Sequence, residues 1–251
     1  MSPSRRPIAE NWYHESFDAL YPIVYAHRTV EAAQPESKFS IQQTGIGPGD
    51  CVLDLCCGSG RHIHHQLEVT PHVVGLDYSP HLLEMAAELL GRRARLVRAD
   101  MCCQPFTEAF DVVMNYFTSF GYFPTLEANL NVLRGVANIL RPGGRFFIDY
   151  MNRSWTETHL QEDSRREVQG FEIREHRWID RDTHRINKST VVSRNGQELT
   201  DAGESVQLFS PEEFRKILTD AGLTIDSMFG NYDGSPHDAS QPRMIAVGRK
   251  A

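Results

Sequence analysis

Apolar positions along the chain follow three successive patterns. Over residues 8 to 44 they recur irregularly, with Trp12, Tyr13, Phe17, Leu20, Tyr21, Val24 and Tyr25 setting up i, i+4 pairs. One or two amphipathic helices are predicted there. The stretch GIGPGD at 45–50 closes the region as a glycine-proline turn. From residue 51 short apolar runs alternate with longer amphipathic ones. CVLDL and HVVGLD predict buried strands, and GSGRHIHHQLEV between them predicts a turn entering a helix. SPHLLEMAAELLG predicts a helix capped by Ser79, with Pro80 at its first position and Gly91 past its end. RLVRAD, FDVVMNYF and RFFIDYM predict further strands, the last preceded by the helix LEANLNVLRGVANIL and the turn RPGG. Strand and helix alternating on short connections mean a parallel sheet with helices on both faces.

The third pattern begins after Asn152. REVQGFEIREHRWIDR, THRINKSTVVSRNG and ESVQLF, between residues 165 and 209, are richer in charge and predict antiparallel strands. Their turns fall near Arg181-Asp182 and at Asn195-Gly196. SPEEFRKILTDAG predicts a helix with Ser210 as cap, Pro211 and Glu213 in its first turn and Gly222 at its end. LTIDSMFG and RMIAVGRK read as the last two strands. The expected organisation is an N-terminal helical cap (1–44), an α/β core (45–152), an inserted antiparallel β layer (153–209) and a C-terminal helix with the last two core strands (210–251).

Composition narrows the setting. A chain of 251 residues, 40% hydrophobic and 24% charged, is ordinary globular material. It contains no run of about 18 apolar residues, so no membrane span is expected. MSPSRRPIAENWYHE has two arginines without an apolar core behind them and does not read as a secretory leader. Four of the five cysteines form the adjacent pairs Cys56-Cys57 and Cys102-Cys103, which suits a reduced, cytoplasmic compartment better than a disulfide framework. A net charge of -7 argues against a nucleic-acid partner, whose phosphates attract a basic surface.

In open parallel sheets ligands bind beyond the carboxyl ends of the strands, where strand order reverses. The first strand–turn–helix, VLDLCCGSGRHIHH at 52–65, is therefore the place to look. Its GSGRHI lacks the third glycine of a dinucleotide fingerprint. The acids sharpen the reading: Asp54 lies inside the first strand, Asp77 ends the second and Asp100 ends the third. A carboxylate ending the second strand suits two ribose hydroxyls. Gly58 and Gly60 let backbone approach a ligand closely, and Asp54 suits an ammonium group. A ligand with ribose, adenine and an ammonium but no pyrophosphate is S-adenosylmethionine.

VLDLCCGSG resembles the first motif, usually written VLDxGCGTG, of the class I S-adenosylmethionine-dependent methyltransferases. GLDYS, RADM and FDVVMNYFTSFGYF resemble the second, third and fourth, and LRPGGRFFIDY the segment around the fifth strand. The resemblance covers residues 45 to 151 and continues through LFSPEEFRKILTDAGLTI to RMIAVGRK. The order of cap, FTSFGYF, insertion and LFSPEEF is similar to small-molecule members such as the N-methyltransferases of amino sugars. The resemblance implies a Rossmann-like α/β fold with a seven-stranded sheet. It also implies that Gly58 and Gly60 shape the turn under the methionine moiety, that Asp54 orients its ammonium, and that Asp77 takes both ribose hydroxyls. Tyr78 would lie against the adenine, Asp100 would accept from its amino group, and the Met101 N–H would donate to a ring nitrogen. Asn115 and Tyr116 would sit beside the transferable methyl, with Phe117, Phe120 and Tyr122 at the pocket mouth. Arg28 would clamp the methionine carboxylate. Cys56 stands where the family has glycine; it fits if its φ is negative, with its carbonyl accepting from the ammonium.

Methyl transfer from a sulfonium is an in-line displacement that rests largely on alignment. A base is needed only where the acceptor must lose a proton. Tyr13 and His14 are the candidates for facing the acceptor, and His14, His27, His62, Tyr122, His176 and Asp233 are the candidate bases; none has a spacing that singles it out. The insertion, with Trp155 and Trp178 nearby, is expected to lid the acceptor pocket or to supply a homodimer contact. A zinc site is not expected, since Cys56 and Cys57 are adjacent and convergence with His62 and His65 would displace the cofactor. The leading reading is transfer of methyl to a small-molecule acceptor. RNA or protein methylation, a nicotinamide-dependent oxidoreductase and a non-catalytic binding domain are the competing ones; NYFT lacks the Asn-Pro-Pro-Tyr type of motif, and an oxidoreductase leaves Asp54 and Asp100 unexplained.

Overall fold

CVLDL forms β1 (Val52–Leu55), every residue of which is buried, as a central parallel strand covered on both faces requires. The computed structural model describes residues 7–251; positions 1–6 of the expected cap lie outside the described residues. β1 pairs in parallel with β2 (Val73–Asp77) and with β4 (Phe110–Asn115). β3 (Arg95–Arg98) extends one side, β5 (Leu140–Met151) the other. β11 (Arg243–Lys250) runs antiparallel to β5, and β10 (Leu223–Phe229) antiparallel to β11. The strand order is β10-β11-β5-β4-β1-β2-β3, and the count of seven is the one the family resemblance implies. RPGG, expected as a free turn, is absorbed into β5 as a bulge: Phe110 pairs with Leu140 and Val112 with Arg145.

The helices obey their local signals. α3 (Arg61–Gln66) follows β1, and α4 (Pro80–Leu90) starts where the Ser79 hydroxyl accepts the Leu82 N–H. α5 (Leu126–Ile139) is capped by Thr125, and α7 (Pro211–Asp220) by a complete Ser210–Glu213 capping box. The cap is less regular than one or two amphipathic helices. It contains a 3-10 turn (Trp12–His14), the single-turn α1 (Tyr21–Val24) and one long helix, α2 (Val30–Thr44). Its aromatics pack onto each other and the core instead of repeating along one helix face.

The insertion is a short helix, α6 (Arg153–Thr158), then a four-stranded antiparallel meander of β6 (Asp163–Val168), β7 (Phe171–Asp180), β8 (Arg185–Arg194) and β9 (Gln197–Gln207). Both predicted turns are present; Asn195 and Gly196 have φ of 53° and 79°, the paired left-handed residues of a type I′ hairpin. Among the described residues no helix is long and apolar enough to cross a membrane.

Candidate active site

Strand order reverses between β1 and β4, and a cavity of about 530 Å³ opens beyond the carboxyl ends of these strands. Cys56, Gly58, Asp77, Asp100 and Phe117 form its floor. The cap supplies Trp12, Tyr13, Phe17, Tyr21 and Arg28, and the insertion supplies Gln169, Glu204 and Val206. Cap, core and insertion therefore meet here, joined by Arg243 from the C-terminal part.

The floor is built by backbone turns. Cys56 has φ of 62°, contrary to the negative value that would make a non-glycine residue comfortable. The chain must leave β1 sharply for Cys57 N–H to reach the Leu76 carbonyl at 3.0 Å, and a left-handed residue makes that bend. The Cys56 thiol packs 3.7 Å from the Met101 sulfur. Asp77 accepts the Gly58 N–H at 2.8 Å and the Ser79 N–H at 2.9 Å, so it ties the turn after β1 to the start of α4. Burial raises its pKa although three backbone N–H groups oppose the shift. Asp100 accepts the Cys102 N–H at 2.8 Å. The Tyr78 ring lies on the wall, with His14 stacked on it at 4.9 Å between centroids.

Of the residues expected at the site, Arg28, Cys56, Gly58, Asp77, Tyr78, Asp100, Met101, Tyr116, Tyr13 and Tyr122 line the cavity; Asp54, Gly60, Asn115 and His14 do not. Asp54 is 1% exposed and receives an N–H from Gln66 at 3.3 Å beneath the floor. Burial drives its pKa up to about 8. Gly60 has φ of 77°, and a Cβ there would meet Leu90 Cδ1 at 2.8 Å, so its glycine serves helix packing. The Asn115 side chain is buried and donates to the Leu55 carbonyl at 2.9 Å, joining β4 to β1. His14 stands behind Tyr78. Burial raises the phenol pKa of both Tyr13 and Tyr122, which favours the protonated form of each.

Sequence reading named Phe117 and Arg28 but missed the cluster they form with Arg61 and Arg243, and it missed a second group around Glu204. The first surrounds Phe117, whose ring has the guanidinium carbons of Arg61, Arg28 and Arg243 at 4.6, 5.3 and 5.7 Å. Arg61 pairs with Glu36 at 3.2 Å and Arg243 with Asp149 at 2.6 Å. Arg28 donates to the Tyr21 hydroxyl at 2.9 Å and has no carboxylate partner among the described residues. The second is Glu204 on β9, held by Lys188 at 2.6 Å and by the Tyr25 hydroxyl at 3.1 Å. With Asp77 and Asp100 at the strand ends, Glu204 is the carboxylate on the insertion side of the wall. The register Lys188↔Glu204 would have needed the pairing of β8 with β9 to be known beforehand.

This wall fits S-adenosylmethionine. Gly58 at φ 54° leaves open space where a side chain would stand, with no atom nearer than Leu82 Cδ1 at 4.0 Å. The Trp12 indole N–H is buried on the wall without a partner. Acidic groups lie near the β2 and β3 ends, and the cap brings the Arg28 guanidinium, which has no carboxylate partner among the described residues.

Comparison with known proteins agrees. Residues 52–144 match a family profile described as "Methyltransferase domain". An uncharacterized methyltransferase of Synechocystis, sll0829, is 31% identical over 150 residues, covering 58% of this chain and 68% of that protein. The chain belongs to the methyltransferase family. This methyltransferase is also 29% identical over 242 residues to the cypemycin N-terminal methyltransferase of a Streptomyces species, covering 90% of this chain and 97% of the relative. Its fold superposes on the sugar N-methyltransferase KedS8 of Streptoalloteichus with a TM-score of 0.67 at 21% identity, over 98% of each chain. The enzyme's cofactor is S-adenosylmethionine.

Proposed function

We propose that the enzyme transfers methyl to an amine nitrogen of a small-molecule acceptor enclosed between cap and insertion. The observation that supports this reading is that Glu204, from the insertion, lines the same cavity as the core acids Asp77 and Asp100. The names of the two relatives covered over nearly their full length, an N-terminal methyltransferase and a sugar N-methyltransferase, support an amine in particular.

S-adenosylmethionine supplies an already activated methyl on a sulfonium, so the chain's own residues have to bind, align and exclude water. In this reading Asp77 takes the ribose hydroxyls, Asp100 and the Met101 N–H hold the adenine, and Tyr78 covers it. Arg28, which has no carboxylate partner among the described residues, takes the methionine carboxylate. Tyr116 closes the base of the cavity; its hydroxyl bonds Ser40 at 2.6 Å. The rings of Trp12, Phe17, Tyr21 and Tyr122 present π faces that favour positive charge over water. Asp54, buried beneath the floor and bonded to Gln66, supports the turn after β1 and takes no contact with the ligand in this reading.

An amine acceptor must offer a lone pair to the methyl and afterwards shed a proton. Glu204 is placed to accept an amine N–H and so aim the lone pair toward the floor. The test is Glu204→Gln assayed on a panel of primary and secondary amines, with S-adenosylmethionine affinity measured in parallel. A fall of about tenfold or more in kcat/KM with unchanged cofactor affinity supports the assignment. Full activity of the variant, or activity of the wild type on hydroxyl acceptors only, overturns it.

A further inference from the structure

The histidines of RHIHHQLE point in two directions. His62 turns inward, stacked on Tyr116 at 3.9 Å and 2.9 Å from a Glu36 carboxylate oxygen. His64 and His65 stand off the cavity wall. His65 Nε2 lies 2.9 Å from the Val30 carbonyl oxygen. A carbonyl can only accept, so Nε2 carries the hydrogen, and in the neutral ring Nδ1 is a lone pair.

That lone pair is buried, has no hydrogen-bond partner, and faces Glu68 Oε1 at 3.5 Å. A lone pair and a carboxylate oxygen repel each other unless a cation lies between them. His64 Nδ1 is likewise buried without a partner. One ligand atom from each of His64, His65 and Glu68 lies within 4.8 Å of the other two. Glu68 lies in the turn that follows α3, where its N–H donates to the His65 carbonyl at 3.2 Å and brings its side chain back beside the two histidines. The Val30 carbonyl fixes the His65 tautomer and ring orientation as second partners fix metal-ligating histidines elsewhere.

We infer that His64, His65 and Glu68 bind a divalent first-row transition ion at the end of α3. Two imidazoles and a carboxylate match the ligand preferences of zinc, with water completing the tetrahedron. The Glu68 side chain is 66% exposed and opens the site to solvent. No thiol takes part, which separates this site from the cysteine-based one that the sequence argues against. The ion would also brace the enzyme. Val30 begins α2, two residues beyond Arg28, so an ion on His65 stiffens the joint between core and cap.

Chelator-treated, tag-free full-length enzyme titrated with zinc chloride in a calorimeter should take up one equivalent. Cobalt chloride should give visible d–d bands without thiolate charge transfer. His64→Ala and Glu68→Gln should each weaken zinc by about tenfold or more, whereas Cys102→Ser with Cys103→Ser should leave it unchanged. Zinc should raise the melting temperature of the wild type and not of His64→Ala, a readout that stands even if that variant is less stable. Absence of saturable binding would overturn the proposal and leave a proton as what separates His65 from Glu68. Binding untouched by His64→Ala and Glu68→Gln, or lost with the cysteines, would overturn it too.

Discussion

Asp149 and Phe117 are joined by a bond that sets the cavity floor. Asp149 Oδ2 accepts the Phe117 N–H at 2.8 Å while the Asp149 carbonyl accepts the Thr118 N–H at 2.9 Å. Phe117 and Thr118 have φ of 57° and 58°, two successive left-handed residues neither of which is glycine. Each costs on the order of 1–2 kcal/mol. The same carboxylate accepts from Arg243 Nε at 2.6 Å and from the Tyr232 hydroxyl at 2.7 Å, and it is fully buried. A strained turn on the cavity wall is thus over-determined by a buried acid.

Asp149→Asn keeps the shape but leaves Arg243 without its counter-charge. Breaking a buried pair of this kind costs about 3–5 kcal/mol. Denaturant unfolding should show a loss in that range, and the surviving folded enzyme should turn over at least about tenfold more slowly because Phe117 relaxes. A stability change below about 1 kcal/mol would mean the pair is not integral to the fold.

Asp77→Ala strips the acceptor from the end of β2. Calorimetric affinity for S-adenosylmethionine should fall by something like 1–3 kcal/mol, about fivefold to 150-fold. Part of that loss reflects the turn at Gly58, whose N–H Asp77 also holds. Unchanged affinity would remove Asp77 from the cofactor site.

Gly60→Ala separates packing from ligand contact. Its Cβ would press on Leu90 Cδ1 at 2.8 Å and Ala86 Cβ at 3.2 Å, in a backbone conformation that penalises any side chain. Stability should drop by about 2 kcal/mol or more, while the cofactor affinity of folded protein stays within about twofold. A selective loss of affinity would return Gly60 to the binding site.

Asp54 governs a pH dependence. Its folded pKa, raised by burial to about 8, exceeds the ordinary carboxylate value of 3.8. Between these values the folded state holds a proton that the unfolded state has released, so this group's contribution to stability declines as pH rises from about 4 to about 8. Melting temperature followed across that window should fall less in Asp54→Asn than in the wild type. Parallel curves for the two proteins would show that Asp54 is ionised throughout.

What the sequence by itself determined was whatever depends on spacing within one element. The alternation of strand and helix, the caps at Ser79 and Ser210, the Asn195-Gly196 turn and the acids ending β2 and β3 all follow from local chemistry. The cavity has Asp77 and Asp100 on its floor as a result. Asp54 shows where such reading stops. A strand buried on both faces carries no polar alternation, so nothing local says whether its acid faces the ligand or the underside of the sheet. Pairings between distant segments were equally hidden: Asp149 with Phe117 and Arg243, Lys188 with Glu204, Val30 with His65. Each is a contact across a fold in which identity and spacing fix which residue is available but only packing of one layer on another decides which partner it meets. The left-handed Cys56 belongs to the same class, because its conformation is imposed by the distance β1 must span to reach the Leu76 carbonyl, and not by any preference of cysteine.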